Sequence, residues 1–153
     1  MSRIGASASQ APPPSDGGCY NGGVTSTIVD QVRAHFADDA GDVVAVYVFG
    51  SEGRGTAGPN SDVDVAIFLG RRPASTLAAQ PYALAADLER ALGRRVDLVV
   101  LDSAPADLIH RVLRDGVLVL DRDRAARIRF EVAARNAYFD LKPFLDRYRH
   151  RAA

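Results

Sequence analysis

Apolar residues along the chain alternate between two spacings. Ile28, Val32 and Phe36 fall four apart, which stacks side chains on one helical face, so a helix is predicted from a cap at Thr25 or Ser26 to about Asp38. Asp39 to Asp42 reads as a turn. Val43 to Phe49 is short, β-branched and almost wholly apolar, the pattern of a strand covered on both faces. A glycine-rich turn, Gly50 to Asn60, leads to a second strand, Asp62 to Leu69. There Val63, Val65, Ile67 and Leu69 share one face, and Asp62, Asp64, Ala66 and Phe68 share the other. Thr76 to Leu92 predicts an alanine-rich helix stopped by Gly93. Arg95 to Leu101 predicts a third strand, Pro105 opens a helix running through Arg114 and closed by Gly116, and Val117 to Leu120 predicts a short fourth strand at a sheet edge. The last helix starts near Asp121 and carries Ile128, Val132, Tyr138, Leu141 and Leu145. Pro143 lacks an amide hydrogen and crowds the preceding turn, so a kink or break is expected there. The order αββαβαβα predicts an α/β (α+β) domain: a small mixed β-sheet flanked by helices.

Length and composition add limits. The chain has 153 residues, 47% of them hydrophobic, enough for one packed core. Residues 1–23, rich in Ser, Ala, Pro and Gly, are expected to be a disordered tail ahead of a domain over 24–153. No stretch approaches the ~20 apolar residues of a membrane span, and the first residues lack the apolar core of a secretory signal, so a cytoplasmic protein without membrane contact is expected. Cys19 is the single cysteine, which excludes an internal disulfide or a multi-thiol metal site. Nineteen basic residues balance nineteen acidic ones, against direct nucleic-acid binding through bulk charge. The end of the chain is locally basic, with nine Lys/Arg facing five acids from Asp121 to Arg151. The aromatic series Phe130, Tyr138, Phe139, Phe144 and Tyr148 fits packing or a partner surface.

The candidate chemistry lies between Phe49 and Leu69. Asp62 and Asp64, two apart on a strand, point to the same side, and two like charges so close need a cation or donors between them. Oxygen donors without His or Cys favour magnesium or manganese over zinc. Asp97 interrupts the apolar run of the third strand. A carboxylate there would suffer desolvation unless paired or ligating, which makes it the candidate third ligand, with an ion pair to Arg94 or Arg95 as the alternative. Three such acids can hold two metals about 4 Å apart. Gly50 and Ser51 turn a strand end into exposed backbone N–H groups and a hydroxyl, an anion cradle, and Arg54 adds a fixed positive charge. His110 reads as a surface or packed histidine. Ser51 has no adjacent base in sequence, which disfavours acyl transfer.

Gly50-Ser51, ten intervening residues and Asp62-x-Asp64 resemble the GS-x10-DxD signature of the DNA polymerase β-like nucleotidyltransferases. The longer string GSxxRGTAxxxSDxD is similar to their minimal nucleotidyltransferase branch. From about Val43 onward, VDLVVLDSAPADLIHRVLRDGVLVLDRD and the last helix also resemble MntA-like antitoxins of HEPN-type toxins. The resemblance implies the nucleotidyltransferase fold and transfer of AMP from ATP to a tyrosine of a cognate HEPN ribonuclease, which is thereby silenced. It implies that Asp62 and Asp64 bind magnesium or manganese. Asp97 would ligate one metal and help deprotonate the acceptor hydroxyl, while Gly50 and Ser51 hold the triphosphate. A small-molecule acceptor such as an aminoglycoside, or neutralisation by binding alone, remain alternatives.

Overall fold

The computed structural model describes residues 27–38, 40–71 and 81–151. The expected tail at 1–23, and Thr76 to Gln80 of the expected second helix, lie outside them. The first helix, α1 (Ile28–Asp38), begins slightly later than the predicted caps. The Asp30 N–H donates to Thr27 Oγ1 at 3.2 Å and the Thr27 N–H donates to Asp30 Oδ2 at 3.3 Å. This reciprocal capping satisfies two amides that the helix itself cannot. Strand β1 (Ala45–Val48) leads into a one-turn helix, α2 (Gly50–Gly53), where the sequence predicts only a turn. The remaining elements are β2 (Val63–Phe68), α3 (Tyr82–Leu92), β3 (Val96–Val100), α4 (Ala106–Asp115), β4 (Val117–Asp121) and α5 (Arg124–Arg151).

The sheet has the order β3-β2-β1-β4. β1 runs antiparallel to β2 and β4, while β2 and β3 are parallel, so the sheet is mixed as predicted. Its two faces carry separate cores. Val46, Val48, Val63, Val65 and Ile67 pack with Val32 and Phe36 of α1 and with Leu88 and Leu92 of α3. Ala45, Tyr47, Ala66 and Phe68 pack with Ile109 and Val112 of α4 and with Ala134 of α5. Phe68 stacks on Phe130 at 4.4 Å between ring centroids. The alternation in β2 thus assigns Asp64 to the α4/α5 face.

Two expectations need correction. β3 is an edge strand of partly buried residues, and Asp97 on it is exposed, so the desolvation argument that singled it out does not apply. Its apolar residues face the sheet's two cores while one flank meets water. Pro143 does not break α5, which runs through it. Phe139, whose carbonyl loses its helical donor there, lies in an exposed part of the helix, where water can serve instead. No helix among the described residues is long and apolar enough to cross a membrane.

Candidate active site

The site grows from the corner between β1 and α2. Gly50 has a φ of +62°, and a Cβ there would stand 1.9 Å from Oδ2 of Asp64, so both conformation and space require glycine. The Phe49 N–H donates to the Asp64 carbonyl at 3.0 Å, fastening this corner to β2. Gly53 closes the turn against the end of α4, where a Cβ would meet the Val48 carbonyl at 2.8 Å and the Asp115 carbonyl at 3.0 Å.

Parallel pairing then sets Asp64 opposite Asp97 in the β2–β3 register. Both carboxylates line one cavity of about 400 Å³, whose walls also include Gly50, Arg54, Leu108, Arg111 and Asp115. Ser51, one residue into α2, does not line it, and its carbonyl accepts the Thr56 N–H at 2.9 Å. Asp62 sits on the flank. It precedes the first ladder residue, Val63, so the strand alternation does not govern its direction, and it is exposed. It lies 3.9 Å from Arg95 Nε and shares a neighbouring depression of about 220 Å³ with Asp97. Asp97 therefore belongs to both recesses. Among the described residues, no three His, Cys, Asp or Glu side chains stand close enough to hold a metal ion without rearrangement.

The electrostatics nevertheless suit a cation. Burial, then the charges of Asp97 and Asp62, push the Asp64 carboxyl above its ordinary range, with Arg54 acting in the opposite direction. A divalent ion between Asp64 and Asp97 would relieve that repulsion. Donors that are all carboxylate oxygens fit magnesium or manganese.

Asp97 has no ion pair among the described residues. Arg94 is taken by Glu52 at 2.6 Å, and Arg95 is nearest to Asp62. Glu52, although next to Ser51, does not line the cavity. His110 lies flat on Tyr138, with ring centroids 3.7 Å apart, consistent with a packed histidine.

Sequence reasoning misses Arg111 and Asp115. Their signal is the helical spacing of Leu108, Arg111 and Asp115, which sets all three on the cavity side of α4. Arg114 donates to both oxygens of Asp115 at 2.7 Å and holds that carboxyl below its ordinary range. Arg54 and Arg111 have no ion pair among the described residues, so two guanidinium groups remain available to an anion in the cavity.

The sequence matches the family model described as polymerase beta, nucleotidyltransferase over residues 31–125, a span that holds the corner, both acid-bearing strands and α4. No curated protein matches it significantly. A chain of a toxin–antitoxin complex crystallised with AMP-PNP superposes with a TM-score of 0.62 at 25% identity, covering 78% of this chain and 97% of that one. A chain of a mutant MntA toxin–antitoxin complex gives 0.61 at 23%, covering 78% and 97%. A chain of the tri-AMPylated Shewanella oneidensis HEPN toxin in complex with MNT antitoxin gives 0.57 at 22%, covering 79% and 95%. The latter two likenesses establish a shared fold.

Proposed function

Because the chain belongs to the polymerase beta nucleotidyltransferase family, we propose that it is the antitoxin of a toxin–antitoxin pair and transfers AMP from ATP to a tyrosine hydroxyl of its HEPN-type toxin. The observation that carries this reading is the Asp64–Asp97 register pair opening into one cavity with the Gly50 corner. The AMP-PNP bound in one structural relative and the AMPylated toxin in another support the choice of nucleotide and acceptor.

The chain's own groups divide the work as follows. Gly50 at the corner, with Arg54 and Arg111, holds the triphosphate and balances its charge. Asp62, Asp64 and Asp97 would hold magnesium or manganese, which when bound would polarise the phosphate and favour the ionised acceptor. Asp97, exposed on the edge strand, helps take the acceptor's proton. Holding acceptor oxygen, α-phosphorus and leaving pyrophosphate in line removes much of the entropic barrier.

The test is incubation of the chain and its toxin with labelled ATP and magnesium. Label should appear on a toxin tyrosine with the native chain and disappear with Asp62→Asn/Asp64→Asn. A variant without those carboxylates that still neutralises the toxin would instead identify a binding-only antitoxin.

A further inference from the structure

Arg94 stands where the three segments carrying the site meet. It follows Gly93, the left-handed cap of α3, and precedes Asp97 by three residues. Its Nη1 lies 2.6 Å from Oε1 of Glu52 in α2. Its Nε donates to the Ser61 carbonyl at 3.0 Å, and its Nη2 donates to that carbonyl and to the Gly58 carbonyl at 3.4 Å. The two side chains are only 17% and 14% exposed. The Glu52 contact is ionic, since no donor hydrogen is aligned on Oε1. One guanidinium thus spans from the residue after Ser51 to the residue before Asp62, and the Val63 N–H extends the tie by donating to the Arg95 carbonyl at 2.9 Å.

The other hydrogen bonds of this loop are local. Thr56 N–H reaches Ser51, Ser61 N–H reaches Gly58, and Gly58 N–H reaches Ser61 Oγ. They shape the loop without setting its position against β3. Arginine suits the linking task because its planar fork can address a carboxylate and two carbonyls together, whereas a lysine concentrates its three donors at one point.

We propose that Arg94 is a positioning residue: neutralised by Glu52, it sets the spacing between the phosphate-holding corner, the Asp62–Asp64 strand and Asp97. This inference rests on the nucleotidyl-transfer reading above. Without the clamp, the corner and the carboxylates would have to be brought into register during each turnover.

The experiment uses the full chain with its toxin and compares the native protein with Arg94→Lys and with the double variant Glu52→Leu/Arg94→Met, which leaves no lone buried charge. Transfer kinetics are measured beside Mn2+ binding in the presence of AMP-PNP, followed by electron paramagnetic resonance. Arg94→Lys should lower kcat and weaken Mn2+ binding, each by about tenfold or more, with the KM for toxin unchanged. The double variant should show the same losses while melting near the native temperature. Native kcat and native Mn2+ affinity in folded Arg94→Lys would overturn the proposal while leaving the transfer reading intact. A native chain that neither transfers AMP nor binds Mn2+ with AMP-PNP would overturn both. Should the double variant not fold, Arg94→Lys alone decides.

Discussion

Gly50 and Asp64 compete for the same volume: a Cβ on the glycine would lie 1.9 Å from Oδ2 of the aspartate. The carboxylate keeps its place at the cavity wall because position 50 has no side chain. Gly50→Ala must therefore displace either the corner or the carboxylate, in addition to holding alanine at a φ of +62°. The left-handed conformation costs about 1–2 kcal/mol, which urea unfolding would report. Transfer activity should fall further than that loss implies, on the order of a hundredfold, because under the proposed function a displaced Asp64 carboxylate would no longer be placed to hold a metal beside the phosphate. Native transfer by a folded Gly50→Ala would show that the Asp64 position is not critical.

Asp97 gives the opposite balance between activity and stability. It is exposed and has no ion pair among the described residues, so Asp97→Asn should change unfolding free energy by no more than about 0.5 kcal/mol. It also removes the largest like charge acting on Asp64. Transfer, however, should drop on the order of a hundredfold or more, corresponding to the several kcal/mol of charge stabilisation that a fully ligated metal provides. Chemical unfolding and labelled-ATP transfer on the same preparation would separate the two effects.

The same residue shows where sequence reading succeeds and where it stops. The alternation in β2 is a local property, so residue order alone identifies the face that carries Asp64, and the nearly all-apolar run from Val43 to Phe49 predicts a strand covered on both sides. Asp97 stands out only on the premise that an acid within an apolar run is buried. Strand order decides that question, and strand order depends on long-range pairing that leaves no local mark; β3 is at the edge, with Asp97 in water. Spacing groups Asp62 with Asp64, but the ladder starts one residue after Asp62. Arg111 and Asp115 had a visible helical spacing, but nothing in it indicates that this side of α4 covers a cavity rather than a core.

Tyr47 ties the central strand to the last helix. Its hydroxyl donates to Glu131 Oε1 at 2.8 Å, and Arg127 bridges Glu131 at 2.6 Å and Asp121 at 2.8 Å. Tyr47→Phe removes one hydrogen bond but leaves Glu131 paired with Arg127, so it should cost about 1 kcal/mol at neutral pH. Burial, then the bond to Glu131, push the Tyr47 phenol well above its ordinary 10.0. A folded value above the unfolded one contributes stability that is complete below pH 10 and declines as pH rises past it toward the folded value. Urea unfolding at neutral and strongly alkaline pH should therefore show a smaller alkaline loss for Tyr47→Phe than for the native chain. Equal losses would assign the alkaline sensitivity elsewhere.

Metal removal should silence transfer without unfolding the chain. The core clusters on both sheet faces are apolar and contain none of the candidate ligands, so EDTA should leave the unfolding midpoint in place. Magnesium or manganese should restore transfer and zinc should not, because the site offers carboxylate oxygens and no nitrogen or sulfur donor. Manganese with AMP-PNP at about 100 times its dissociation constant should add about 2.7 kcal/mol to the native chain's stability. Asp64→Asn provides the decisive comparison. Losing a half-buried carboxylate crowded by Asp97 and Asp62 should make the metal-free protein at least as stable as the native one. The stabilisation by manganese and AMP-PNP should then be absent. A variant that is less stable without metal, yet still gains stability from manganese and nucleotide, would place the cation away from Asp64.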